Sequence, residues 1–244
     1  CENGKFILKN GHPLHDHEPL GKISISDVFT YSSNIGMAKI SDFLTHQELY
    51  NKSRDFGFGF KTGILLPDEQ SGMLRHFDDW TYQSSKSIAM GQEISCTSLQ
   101  LAMAYSSIAN GGYLMDPTII KSIGGSDSLN RNPRKVRKVL SYENSKILLS
   151  LLEKVVSEGS GSKAYLSGYS IAGKTGTAQK FIDGDYSDVE YISSFASIFP
   201  SNNPKYVCII SIDSPDKSTG KHWGGETAAP IVKNIYTNIV SLKS

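Results

Sequence analysis

The sequence predicts an α+β fold, an antiparallel sheet with an adjoining helical lobe. Two observations lead there. Capped, partly apolar helical segments fill the earlier part of the chain, and strand-length apolar runs gather late, at Ile171–Gln179, Tyr191–Phe199 and Tyr206–Asp213. At 244 residues the chain is long enough for one sizeable domain with its own core. A formal net charge of +1 gives no reason to invoke nucleic acid. No apolar run approaches the roughly 18 residues of a membrane span, and no signal peptide opens the sequence. It begins at Cys1 without methionine, and we read it as a piece of a longer protein. Three cysteines, Cys1, Cys96 and Cys208, are too few for a disulfide framework. Cys96 and Cys208 are expected as small core residues.

The first twenty residues are punctuated by Gly4, Gly11, Pro13 and Pro19 and read as irregular. His15 and His17 would share a face there, a possible metal arrangement, although His and Asp in tight turns make a structural loop the better reading. A helix opens at Ile23, capped by Ser24 or Ser26 with Asp27 in its first turn. Ser32 and Asn34 are poor helix-interior residues and fall in a turn before a second helix, about Ile35–Leu44. Thr45 to Glu48 is a capping box opening a third helix, and Gly57–Gly72 reads as loops and short strands. Thr97 and Gln100 form another capping box, before a mostly apolar helix expected to be buried and stopped by Asn110-Gly111-Gly112. Asn130–Lys138 carries five Lys or Arg, either a solvated basic hairpin or a partner contact. Ser141 caps a helix over Tyr142–Glu158, with Ile147, Leu148, Leu151, Leu152, Val155 and Val156 on its inner face. Phe181–Glu190 is acidic and turn-rich, a candidate flap. Thr227 with Pro230 opens a last helix with Ile231, Val232, Ile235, Ile239 and Leu242 as its stripe.

One strand is unusual. Ile171-Ala172-Gly173-Lys174-Thr175-Gly176-Thr177-Ala178-Gln179 is nearly free of bulk, although strand interiors favour β-branched and aromatic side chains. Read alone, it is either an edge against which an extended peptide pairs, with Lys174 and two threonine hydroxyls aimed at an anion, or a glycine-rich turn with a solvated lysine. Upstream lies Tyr31-Ser32-Ser33-Asn34. S-x-N followed by K-T-G forms the second and third parts of the signature of penicillin-interacting serine acyltransferases. With Phe56-Gly57-Phe58-Gly59, Gly91-Gln92, Leu99-Gln100-Leu101-Ala102, Ala109-Asn110-Gly111-Gly112 and Gly224-Gly225, the chain from about Gly21 onward resembles the class B (monofunctional) penicillin-binding proteins, most nearly the division-type transpeptidases.

The resemblance implies the penicillin-binding transpeptidase (serine β-lactamase-like) fold and cleavage of a D-Ala-D-Ala amide by acyl transfer, without metal or organic cofactor. It implies that Ser32 carries a proton between the nucleophile region and Lys174, and that Asn34 bonds the base and the acyl-side amide. Lys174 would polarise Ser32. Thr175 and Thr177 would take the terminal carboxylate of a stem peptide or the acid group of a β-lactam, with the Thr177 N–H in an oxyanion hole. Gly176 would admit the substrate backbone. Trp223 and Gly224 match an aromatic-Gly-Gly segment beside the catalytic strand, where Trp223 is either a wall of the site or a core anchor. The family more often has tyrosine there. Further implied are an N-terminal membrane anchor, a linker domain, a catalytic domain on the periplasmic side of the cytoplasmic membrane, a glycan-polymerising partner and divisome proteins.

One part of the signature is missing. No S-x-x-K occurs among the 31 residues before Ser32. Ser160/Lys163, Ser214/Lys217 and Ser218/Lys221 fit the pattern, but all lie after S-x-N in Gly- or Pro-containing loops and read as chance. The nucleophile and its lysine are therefore expected outside this sequence. The alternatives are a catalytically incomplete scaffold that binds partners and, more weakly, a β-lactamase, for which no water-activating Glu motif is evident.

Overall fold

The computed structural model describes residues 1–121 and 132–242. A small hairpin, β1 (Lys5–Ile7) with β2 (Pro13–His15), leads into α1 (Ile25–Thr30), α2 (Asn34–Ile40) and α3 (His46–Asp55). Next come β3 (Met73–Leu74), α4 (Ser84–Ala89) and β4 (Ile94–Ser95), with β3 and β4 paired. Then α5 (Ser98–Ala109) precedes β5 (Tyr113–Met115), which pairs with β6 (Lys135–Lys138), and α6 (Tyr142–Ser157) follows. The chain finishes as β7 (Ala172–Ile182), β8 (Asp185–Phe199), β9 (Tyr206–Asp213) and α7 (Gly224–Ser241).

Local chemistry sets the helix starts. Ser24 with Asp27, Thr45 with Glu48 and Thr97 with Gln100 each close a reciprocal capping box, satisfying amide donors that the first turn leaves without partners. Ser141 caps α6 by accepting from the Asn144 N–H. The late strands form one antiparallel sheet in the order β7-β8-β9. Its two faces are covered by different helices. On one, Phe195 and Phe199 of β8 pack with Ala228, Val232 and Tyr236 of α7, and Tyr236 shares a 2.8 Å hydrogen bond with Ser197. On the other, Ala172 and Ile198 meet Leu152 of α6, with Phe29, Tyr105 and Ile108 around them. Strand β7 pairs only with β8 among the described residues, so its outer edge is open.

Several expectations need correction. Phe181–Glu190 is no loop: it is the distal part of a β7–β8 hairpin that turns at Asp183-Gly184. The second helix ends at Ile40 and continues only as a 3-10 turn, and Asn34 is its first residue. Helix α5 is half-buried, with Gln100, Ala104 and Ser107 inward. Gln100 donates to the carbonyls of Phe60 and Ser71 at 2.7 Å, so a capping side chain also pins the Gly57–Gly72 loop. Ile147 is 58% exposed, on the solvent side of α6, and Cys96 is exposed. Helix α7 starts at Gly224, before Thr227, and holds Pro230 inside; its buried stripe includes Ala228, Val232 and Tyr236, while Leu242 is exposed. Asn130 and Arg131 of the basic segment lie outside the described residues.

Phe195 is fully buried between sheet and α7. Phe195→Ala is expected to cost about 3–5 kcal/mol of unfolding free energy, whereas Ile147→Ser should stay within about 0.5 kcal/mol. Urea denaturation measures both, and similar losses at the two positions would refute this placement of the core.

Candidate active site

The turn between α1 and α2 is held from beneath. Ser33 is buried and caps α2, its Oγ accepting from the Gly36 N–H at 2.9 Å. The same hydroxyl donates to Asp16 Oδ2 at 2.5 Å, and Asp16 Oδ1 accepts from the Ile35 N–H at 2.9 Å. Asn34 Nδ2 donates to the His15 carbonyl at 3.2 Å. At Gly36 a Cβ would lie 2.5 Å from both Val28 methyls, so only glycine lets α2 sit this close to α1. These ties fix Ser32 at φ 61°, a left-handed conformation uncommon for a residue with a side chain. Ser32 and Asn34 stand exposed on the surface of the turn.

Strand β7 brings the cation to that turn. Lys174 Nζ donates to Ser32 Oγ at 2.7 Å and to the carbonyl of Thr175 at 3.3 Å, and lies 3.5 Å from Thr175 Oγ1. Burial of the amine pushes the Lys174 pKa down to about 8. The small residues along β7 have identifiable reasons. A Cβ at Gly173 would press on the Phe195 ring at 2.6 Å, and one at Gly176 would meet Ser194 Oγ at 2.5 Å. At Gly224 it would collide with the carbonyl oxygens of Ser194 and Gly176. Glycine at 224 thus allows the first turn of α7 to abut the β7–β8 backbone, where the Gly224 N–H donates to Thr177 Oγ1 at 3.0 Å.

Trp223 precedes α7 and is 37% exposed. It lies between two imidazoles, with ring centroids 4.6 Å from His17 and 4.7 Å from His222. His222 is buried and its Nδ1 has no hydrogen-bond partner among the described residues; burial first, then Lys217 and His17, lower its pKa. Trp223 is therefore both anchored from behind and open on one side.

Ser32, Lys174 and Thr175 are in direct contact, and Thr177 meets Gly224 through its hydroxyl. Asn34 shares the Ser32 turn. Sequence reasoning read the segment His15-Asp16-His17 as a structural loop or a possible metal arrangement and missed its contacts with the site. The Asp16 carboxylate secures the turn and His17 packs on Trp223; no cluster of three or more metal-ligating side chains occurs among the described residues. The signal for Asp16 was a helix start at α2 with an acidic residue in an upstream turn, too distant in sequence for local capping rules. Of the S-x-x-K matches, Lys163 pairs with Glu226 and Lys217 engages the Asp188 carbonyl and Tyr191, so neither serves as a base for its serine. Ser160, however, sits against Thr175, their hydroxyl oxygens 2.8 Å apart.

Comparison with known proteins matches residues 3–237 to the penicillin binding protein transpeptidase domain. Stage V sporulation protein D of Bacillus subtilis is 37% identical over 86% of this chain, and the chain spans 33% of that relative's length. The peptidoglycan D,D-transpeptidase FtsI of Buchnera aphidicola is 31% identical over 99% of the chain, which spans 42% of it. Among solved structures, the transpeptidase domain of Burkholderia pseudomallei penicillin-binding protein 3 superimposes with a TM-score of 0.88 at 31% identity, over 99% of this chain and 71% of that one. Penicillin-binding protein 3 of Mycobacterium tuberculosis, complexed with ampicillin, gives a TM-score of 0.87 at 32% identity, over 98% of this chain and 56% of that one. The chain spans well under half the length of these curated relatives. The matched model, the ordered S-x-N and K-T-G elements and their meeting in space place this chain in the penicillin-binding protein transpeptidase family.

Proposed function

We propose that this chain forms the larger part of a peptidoglycan D,D-transpeptidase site that cross-links stem peptides and is acylated by β-lactams, in cell division. The observation that carries the proposal is the 2.7 Å contact from Lys174 Nζ to Ser32 Oγ, with two threonine hydroxyls on the same strand. The nucleophilic serine and its lysine come from a segment outside this sequence. When that serine attacks the D-Ala-D-Ala carbonyl, its proton passes to its own lysine, and the departing D-Ala amine is protonated through Ser32. Lys174 replenishes Ser32; an amine with pKa of about 8 exchanges protons readily near neutrality. The Thr177 N–H supports the oxyanion, a contribution of about 2.7–4 kcal/mol per donor in other acyl-transfer enzymes. The open edge of β7 receives the extended peptide by main-chain hydrogen bonds, Thr175 and Thr177 take its carboxylate, Asn34 holds the acyl-side amide, and Trp223 flanks the donor. Gly176 and Gly224 keep the strand and helix start close enough to hold this geometry.

A partner-binding scaffold has no need for a desolvated lysine aimed at a strained serine, so the geometry favours catalysis. No described helix is long and apolar enough to cross a membrane. The anchor in the cytoplasmic membrane, the periplasmic placement of this domain, and contacts with a glycan polymerase and divisome proteins are parts of the proposal carried by the family resemblance.

Two measurements test this reading. In lysine-labelled protein, NMR should show one side-chain amine titrating near pH 8, absent in Lys174→Met; lysines that all titrate near the usual value of about 10.4 would contradict a desolvated Lys174. In the intact protein, intact mass should show a stoichiometric penicillin adduct, and Lys174→Ala should slow its formation about a hundred- to ten-thousandfold while the fold persists. Near-normal acylation would remove Lys174 from the mechanism.

A further inference from the structure

Ser160 lies on none of the three signature elements, yet it touches both halves of the site. It occupies a three-residue wedge, Gly159-Ser160-Gly161, between the end of α6 and β7. The Ser160 N–H donates to the Thr30 carbonyl at 3.3 Å, two residues before Ser32. A Cβ at Gly159 would collide with that same carbonyl, one at Gly161 would meet the Phe195 ring at 2.9 Å, and one at Gly225 would collide with the Ser160 carbonyl. Three glycines therefore make room for one serine between α1, the sheet and the start of α7. Lys163, three residues on, clamps the segment to α7 through Glu226.

The consequence lies in proton bookkeeping. A hydroxyl has one proton to give and two lone pairs to receive. Thr175 Oγ1 has Ser160 Oγ at 2.8 Å and the Lys174 amine at 3.5 Å. While charged, the amine has no lone pair and can act only as a donor. If Ser160 also donates, both lone pairs of Thr175 are occupied from within the protein, and its own proton has nowhere to go except outward into the cleft. We propose that Ser160 is a positioning residue of the anion subsite, orienting the Thr175 hydroxyl as a donor to the substrate's terminal carboxylate. This rests on the transpeptidase reading only for the identity of the anion; the orientation requires Ser160 to be the donor in the hydroxyl pair.

The test is equilibrium binding of N-acetyl-D-alanyl-D-alanine and of its C-terminal carboxamide to the intact protein, followed by NMR at the Thr175 amide. The parent should prefer the carboxylate. Ser160→Ala should weaken carboxylate binding about tenfold, the scale of one hydrogen bond to a charged group, and leave the carboxamide unchanged. Ser160→Thr, which keeps the hydroxyl, should restore the preference, and Ser160→Ala should add nothing in a Thr175→Ala background. Equal weakening of both peptides would show a merely structural role and overturn the proposal. So would an unchanged preference in Ser160→Ala, or a parent that does not discriminate between the peptides. Penicillin acylation of the parent is scored separately. A protein that is not acylated but loses its carboxylate preference in Ser160→Ala would sink the transpeptidase reading and keep this one.

Discussion

The contact between Lys174 and Ser32 joins residues 142 positions apart and depends on almost every other part of the fold. Neither partner is placed by its own segment. Ser32 sits at positive φ, a conformation that costs a residue with a Cβ on the order of 1–3 kcal/mol unless its surroundings over-determine it. They do so here, with Ser33 fastened to Val28, Gly36 and Asp16 while Asp16 also receives the Ile35 N–H. Asp16 in turn belongs to the segment after the β1–β2 hairpin, whose Leu14 packs on Ile35 and Ala38 of α2. The strain at the serine is thus balanced by the small core that includes Ile35, beside the turn itself.

The other partner is set by the sheet. Lys174 projects from an edge strand whose two faces carry different cores, so a slip of one residue would exchange Lys174 with Thr175. Register is secured where side chains are smallest. Gly173 yields space to Phe195, Gly176 to Ser194, and Gly224 lets α7 start directly on the β7–β8 backbone. These glycines weaken the strand as a strand and strengthen it as a scaffold, which is why β7 departs from ordinary strand composition.

Much of the fold was legible because it is locally encoded. Capping boxes announced α3 and α5, a capping serine followed by Asp27 announced α1, and the apolar runs announced β8 and β9. What was misread depended on partners distant in sequence. Phe181–Glu190 looked like a loop by composition, but pairing across Asp183-Gly184 makes it a hairpin. Pro230 suggested the beginning of a helix, whereas glycine packing started α7 at Gly224, and a proline inside costs one backbone hydrogen bond that α7 forgoes. At the site, Ser32, Asn34, Lys174 and the two threonines were readable as types in order. Asp16, His17 and Ser160 were not, because their roles consist only of contacts: a carboxylate beneath a turn, a ring beneath Trp223, and a hydroxyl beside Thr175.

The charge arrangement sets Lys174 apart from the ion-paired lysines. Lys39, Lys86, Lys163 and Lys180 are each matched with a carboxylate, from Glu2, Asp42, Glu226, and Glu190 with Asp213. The partners of Lys174 are instead two hydroxyls and a carbonyl, all neutral. Burial without a counter-charge lowers its affinity for a proton, while the charge it does carry is left uncompensated. The start of α7 adds a positive helix end beside Thr177. An internal carboxylate at this point would hold the amine permanently charged and occupy the place of an incoming anion. On the proposed function, neutral partners leave Lys174 able both to exchange a proton and to attract a carboxylate.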